Sequence, residues 1–173
     1  MSSPISLQQL HSADGLAALG AAMVQVAEDS LFAYAEPCDP ERFAAMLAER
    51  DAVEPWLSAS VAFKGPFEGT ASVSLPRALA ADLCGSFCGV STDELSEPQV
   101  VDFAGELTNM ACGLWLTHTH RTERFDLTAP HVSAITGAAL AGGAAAGACA
   151  SGIALNDVPI QIALHPSASE GGG

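Results

Sequence analysis

The sequence is short of positive charge. Six Lys and Arg stand against 20 Asp and Glu, a formal net charge of −14 over 173 residues. A surface of that sign repels phosphate backbones and anionic lipid, so neither nucleic acid nor membrane is an expected partner. It suits a partner with a basic face. The chain also lacks a cysteine pairing pattern. The five cysteines, Cys38, Cys84, Cys88, Cys112 and Cys149, are odd in number and include no C-x-x-C. Cys84 and Cys88 lie four apart in a predicted helix, a poor disulfide geometry. Reduced thiols and a cytoplasmic setting follow. Met1 to Asp14 has no basic region and no long apolar run, so a secretory signal is not expected. A long run of large apolar residues is missing too. Leu127 to Asn156 carries no charge apart from His131, but 12 of the 14 residues from Gly137 to Ala150 are Ala or Gly. Pro130 and the glycines interrupt it further. It reads as a buried or loosely ordered Ala/Gly connector, not as a membrane span.

What is present supports one folded domain. Apolar residues make up 49% of the chain and charged residues 15%, which excludes a disordered polar chain and leaves enough material for a core. Residues 1–13 are predicted as a flexible leader, 14–166 as a single domain and 167–173 as a disordered tail. Asp14 is placed to cap a helix reaching Tyr34, with Leu16, Leu19, Met23, Val26 and Ala27 at helical spacing and Leu31 and Tyr34 continuing the stripe. Pro40 to Arg50 reads as a short helix with Phe43, Met46 and Leu47 on one side. Leu57 to Lys64 and Phe67 to Leu75 alternate apolar and polar residues around Gly65-Pro66, the signature of a hairpin with one buried face. Pro76 to Phe87 reads as a helix with Leu79, Leu83 and Phe87 inward. Ser96 is placed to cap the longest helix, Glu97 to Thr119, with Pro98 in its first turn. Asp126 to Ile135 is extended and broken by Pro130. A second hairpin follows, with Gly152 to Leu155 and Val158 to His165 joined at Asn156-Asp157. Strands in this order, covered by helices on one side, predict an α+β fold: an antiparallel sheet layered against long helices.

The long helix carries the candidate chemistry. At 100° per residue, Val100, Phe103, Leu107, Met110 and Leu114 share one stripe, with Ala104 and Ala111 beside it. Asp102, Glu106, Asn109 and Gly113 fall within an arc of roughly 60° on the opposite side. Gly113 in mid-helix costs about 1 kcal/mol relative to Ala, a cost that close approach of another molecule would justify. An ordinary solvated face with an incidental glycine fits the same pattern.

Asp102-x3-Glu106-x2-Asn109, followed by Pro130 about twenty residues later, resembles the signature of the CheC/CheX/FliY group of chemotaxis phosphatases, and of its CheX-like domains in particular. Gly105-Glu-Leu-Thr-Asn-Met-Ala-Cys-Gly113 is similar to that family's GELANMIAG segment, and Ser58 to Leu75 to its first hairpin. The helix after the hairpin, the acidic connector Asp93-Glu94-Leu95 and the motif helix come in the family's order. The resemblance covers residues 15–135 and is strongest over 57–113. It implies hydrolysis of the aspartyl phosphate on a phosphorylated response-regulator receiver domain, CheY in the usual case. Carried over, Asn109 orients the attacking water, and Glu106 takes a charged hydrogen bond from the regulator's active-site lysine. Asp102 and Gly113 join the docking face, and Pro130 fixes the strand that follows. No cofactor of the chain's own is implied, because the Mg²⁺ belongs to the receiver. A homodimer is the second expected assembly.

The chain departs from the family in three places. Relatives with two sites carry a second E-x-x-N on the first long helix, where this chain reads AAMVQVAEDSLF, with Glu28 but no Asn three residues on; one site per chain is expected. Ala129 precedes Pro130 where Leu is common, and the Ala/Gly stretch replaces an ordinary strand and loop. Other chemistries find less support. His118 and His120, two apart near a helix end, point in different directions and do not form a metal site with His131, Glu123 and Asp126. No Ser-His-Asp signature and no nucleotide-binding glycine loop is present. Trp56 and Trp115 read as core or interface residues. The alternative function is a non-catalytic receiver-binding or flagellar-switch scaffold module, which would need neither Glu106 nor Asn109.

Overall fold

A computed structural model describes residues 13–141 and 149–167 of the chain. The leader, apart from Ala13, and the tail, apart from Ser167, lie outside the described residues. In order, the elements are α1 (Ala13–Leu31), β1 (Ala35–Cys38), α2 (Pro40–Ala48), β2 (Pro55–Lys64), β3 (Glu68–Pro76), α3 (Arg77–Cys88), a 3₁₀ turn (Thr92–Glu94), α4 (Glu97–Thr119), β4 (Asp126–Leu127), β5 (His131–Thr136), α5 (Gly137–Ala141), β6 (Cys149–Leu155) and β7 (Val158–Pro166). The fold is α+β. The strands form one antiparallel sheet in the order β1-β6-β7-β3-β2, and β4 and β5 both pair with the far edge of β2.

The alternation in the first hairpin sets its register directly. Val61 faces Ala71 and Ala59 faces Val73 across the β2–β3 pair, and all four are buried on the helix-covered face. Asn156 and Asp157, at φ 48° and 63°, make the two-residue turn between β6 and β7 that right-twisted strands favour. The Asn156 side chain also accepts from the Tyr34 N–H at 3.0 Å, and the Asn156 N–H donates to the Tyr34 carbonyl at 2.7 Å, which ties β1 to the second hairpin.

α1, α3 and α4 cover one face of the sheet and share its main core, with Leu19, Met23, Leu107, Trp115, Leu155 and Ile160 almost wholly out of solvent. Burial on that scale contributes about 25 cal/mol per Å² of apolar surface and is the main source of stability. α2 covers a smaller part of the opposite face, with Phe43 over Cys38 and Ala154. Its N-cap is Asp39, whose carboxylate accepts from the Arg42 N–H at 2.7 Å.

Several boundaries differ from the sequence reading. Asp14 lies inside the first turn of α1 and does not precede it as a cap, so its charge meets the positive end of the helix dipole. α1 stops at Leu31, where Phe32 turns to φ 51° and the Ala33 N–H closes on the Ala27 carbonyl. Tyr34 therefore leaves the apolar stripe and is exposed. Phe87, at the last turn of α3, is exposed as well and only leans on Phe103, with ring centroids 6.0 Å apart. The Ala/Gly connector is shorter than the composition suggests: Gly137–Ala141 is helical and β6 already starts at Cys149, while 142–148 lie outside the described residues. Of the cysteines, Cys38, Cys84 and Cys112 are buried, and burial pushes the Cys112 thiol up to about 12. No described helix is long and apolar enough to cross a membrane.

Candidate functional site

α4 is fixed before any partner arrives. Ser96 and Gln99 form a reciprocal capping box: the Gln99 N–H donates to Ser96 Oγ at 3.4 Å and the Ser96 N–H to Gln99 Oε1 at 2.8 Å. Glu97 in the first turn is paired with Arg77 of α3. Val100, Phe103, Ala104, Leu107 and Ala111 pack inward as their spacing predicts. The buried face is wider than that stripe, because α4 packs on the sheet and on α1 together. Thr108, Cys112, Trp115 and Leu116 are buried too, while Met110 and Leu114 are only half-buried. Thr108 is satisfied internally, its hydroxyl donating to the Ala104 carbonyl at 2.9 Å.

The remaining strip holds the four motif positions. Asp102 and Glu106 are exposed, as the helical wheel predicts. Asn109 and Gly113 are half-buried, and here the expectation of a fully wet face is corrected. Asn109 lines an open groove of about 500 Å³ between α4 and α1, together with Gln25, Asp29, Gly113, Thr117 and Leu127 among others. The side chains of Asp102, Glu106 and Asn109 make no hydrogen bond or ion pair with any described residue. Two carboxylates and one carboxamide therefore stand on one helix without a hydrogen-bond partner among the described residues. Glu106 and Asn109, three residues apart, are neighbours on that helix and reach outward together.

The two glycines that frame the motif differ in what they do. A Cβ on Gly105 would come within 2.9 Å of Pro130 Cβ and 3.4 Å of Val132 Cγ2, so its smallness lets the start of β5 press on the helix. Pro130 itself lies in the break between β4 and β5, where a residue without an N–H loses nothing. A Cβ on Gly113 would meet only Leu127 Cδ1, at 3.9 Å, so nothing within the fold demands glycine there.

Sequence reasoning found the α4 side of the groove and missed the α1 side. The first helix has no second E-x-x-N, and its Glu28 is exposed and does not line the groove. Gln25 and Asp29, one turn apart on α1, line the same groove as Asn109. Their spacing of four was the available signal.

Beyond Gly113 a second cleft of about 380 Å³ opens, lined by Thr117, His120, Arg121, Glu123, Arg124 and Phe125 among others. His120 lines it, with its ring centroid 4.9 Å from Phe67 and 5.7 Å from Phe125. Burial holds the imidazole below the usual histidine range, against the opposing pull of Glu123, whose Oε2 lies 3.5 Å from Nδ1. The fold thus favours the neutral ring. Its contribution to stability is complete above the ordinary histidine value of about 6.5 and is lost as pH falls below it. The melting temperature of the wild type is expected to drop more between pH 7 and pH 5 than that of His120→Phe; parallel profiles would contradict this. His118 is exposed, and among the described residues no three His, Cys, Asp or Glu side chains are grouped to hold a metal ion.

Comparison with known proteins identifies the family and the fold. Residues 57–150 match the sequence model of the family described as chemotaxis phosphatase CheX. A search of curated protein sequences finds no significant match. Among solved structures, the chain is similar to the chemotaxis protein CheX from Vibrio vulnificus, with a TM-score of 0.66 and 18% identity over 90% of this chain and 97% of that one. It is also similar to CheX in the CheX–CheY–BeF3–Mg complex from Borrelia burgdorferi, with a TM-score of 0.56 and 16% identity over 91% and 100% of the two chains. FliY from Thermotoga maritima gives a TM-score of 0.54 and 14% identity over 90% of this chain and 91% of that one.

Proposed function

Because this chain belongs to the chemotaxis phosphatase CheX family, we propose that it hydrolyses the aspartyl phosphate of a CheY-like receiver domain, with one site per chain built on α4. The observation that carries the proposal is the pair Glu106 and Asn109, three residues apart on a capped helix, with no hydrogen bond or ion pair to any described residue. The CheX of Borrelia burgdorferi, which shares the fold, has been solved with CheY, and this supports the class of partner.

In this reading α4 docks over the receiver's phosphorylation site. Asn109 enters it, and its carboxamide oxygen accepts a hydrogen bond from water while its NH₂ donates elsewhere, which fixes the water in line with the phosphorus. The water oxygen forms the new P–O bond as the bond to the aspartyl oxygen breaks, releasing inorganic phosphate and restoring the carboxylate. Phosphoryl transfer depends on position and charge more than on a strong base, so an amide suffices. The metal ion in this reaction belongs to the receiver and supplies charge neutralisation there. Glu106 accepts a charged hydrogen bond from the receiver's active-site lysine, a short and directional contact. Asp102, one turn nearer the N-terminus, adds negative charge on the same side. The absence of any crowding around Gly113 lets the partner's backbone come close to the helix. The setting of this reaction is the cytoplasm.

Glu106→Ala tests the docking half. Loss of a hydrogen bond between charged groups is expected to weaken receiver binding by about 10- to 150-fold, following from roughly 1.5–3 kcal/mol. Affinity and rate both equal to wild type would remove Glu106 from the interface.

A further inference from the structure

The groove at Asn109 does not end the surface. Gly113, Thr117 and Leu127 line both that groove and the second cleft, so a molecule seated over Asn109 extends over the loop that follows α4. This loop holds an unusual share of the chain's scarce positive charge. Of six Lys and Arg, four are neutralised within the fold: Arg42 by Glu36, Arg50 by Glu54, Lys64 by Glu68 and Arg77 by Glu97. The other two, Arg121 and Arg124, are exposed in the second cleft and pair with no described residue. Two carboxylates share the cleft. Glu123 is turned toward His120, with its Oε2 buried, and Asp126 is exposed. The loop is pinned at both ends, by His120 and Phe125 in the aromatic cluster with Phe67, so the guanidinium groups are presented from a fixed base.

We propose that Arg121 and Arg124 form a second docking point for the same receiver domain, which seats a carboxylate-bearing part of its surface there. The inference rests on the functional reading above and adds the orientation of the partner. From α4 into the loop that follows it, the exposed charge changes sign, from Asp102 and Glu106 to the neutral Asn109 and Gly113 and then to Arg121 and Arg124. The rise from Glu106 to the end of the helix is about 20 Å. A standard interface of about 800 Å² per partner is roughly 28 Å across, so a single receiver spans both ends. A partner with basic groups over Glu106 and acidic groups over the arginines fits one way round only, and reversed docking brings like charges together. The arginine pair thereby sets specificity, selecting among receivers that share the same phosphorylation site.

The test is steady-state phosphate release from phosphorylated CheY, together with titration of CheY charged with Mg²⁺ and beryllium fluoride. For Arg121→Glu/Arg124→Glu, KM and Kd are expected to rise about 10-fold in low salt with kcat within about twofold of wild type, because rim charges act on encounter and orientation. The difference is expected to shrink below about threefold at 0.5 M salt, where the screening length is only about 4 Å. The Arg121→Lys/Arg124→Lys variant is expected to stay within about threefold of wild type. Unchanged KM and Kd overturn the inference, and so does an increase that salt does not diminish. Asn109→Ala separates this from the reading it rests on. If Asn109→Ala abolishes turnover while charge reversal changes nothing, only the second docking point fails. If charge reversal weakens binding while Asn109→Ala remains fully active, the docking point stands and the catalytic assignment fails. Absence of any binding by the wild-type chain overturns both.

Discussion

Asn109→Ala is expected to lower phosphate release from a phosphorylated CheY-like receiver by about 100-fold or more, with the affinity for the receiver changed by no more than a few-fold. A factor of 100 corresponds to about 2.7 kcal/mol in the barrier, the scale of loss when a reacting group is no longer held in line. The side chain is half-buried in the groove and makes no hydrogen bond or ion pair with a described residue, so its removal is expected to leave the fold intact. Asn109→Asp is the more demanding variant. It keeps the shape but cannot donate, and it adds a negative charge beside a transferring phosphoryl group; it is expected to be as inactive as Asn109→Ala. Both are checked by phosphate release at saturating receiver, with circular dichroism as the control for folding. Turnover near wild type in Asn109→Ala would remove the residue from the chemistry.

Gly105→Ala is expected to destabilise the fold by about 1–3 kcal/mol, the usual range for overpacking. In an exposed helix interior the same change stabilises by nearly 1 kcal/mol, so the sign itself is informative. The cause is local: the new Cβ would sit 2.9 Å from Pro130 Cβ, and the start of β5 cannot retreat without loosening its pairing with β2. Pro130→Gly removes the ring and is expected to relieve the strain, so the double variant loses less stability than the sum of the two single ones. Urea denaturation of the four proteins gives the coupling, and additive losses would show that the two residues do not press on each other. Because Gly105 adjoins Glu106, the clash also tilts the strip that carries the site, and a fall in receiver affinity is expected alongside the loss of stability.

Signals confined to one element were legible in the sequence. The period-two alternation of Leu57 to Leu75 reports one buried face directly, and β2 and β3 follow it. The Ser96 cap and the helical recurrence of Val100, Phe103 and Leu107 are equally local, so α4 and the exposure of Asp102 and Glu106 could be read. Features set by distant residues could not. β1 is four residues long and contains Pro37; it is a strand because β6, more than a hundred residues later, supplies its partner. Tyr34 and Phe87 continue apolar stripes on paper, but their helices reach their ends there and the core does not extend beneath them. The half-burial of Asn109 depends on α1 lying alongside α4, a tertiary fact that periodicity within α4 does not contain. The arginine pair was hidden for a similar reason, since which cations are already neutralised is visible only once the ion pairs are formed.

The central claim is that this chain inserts a carboxylate and an amide from one helix into a receiver's phosphorylation site and turns over. Phosphate release from excess phosphorylated CheY, started by a small fraction of an equivalent of the wild-type chain, measures this most directly. The expected result is many equivalents of inorganic phosphate per chain, at a rate well above spontaneous loss. Tight stoichiometric binding with release no faster than the receiver alone would make the chain a scaffold and contradict the account.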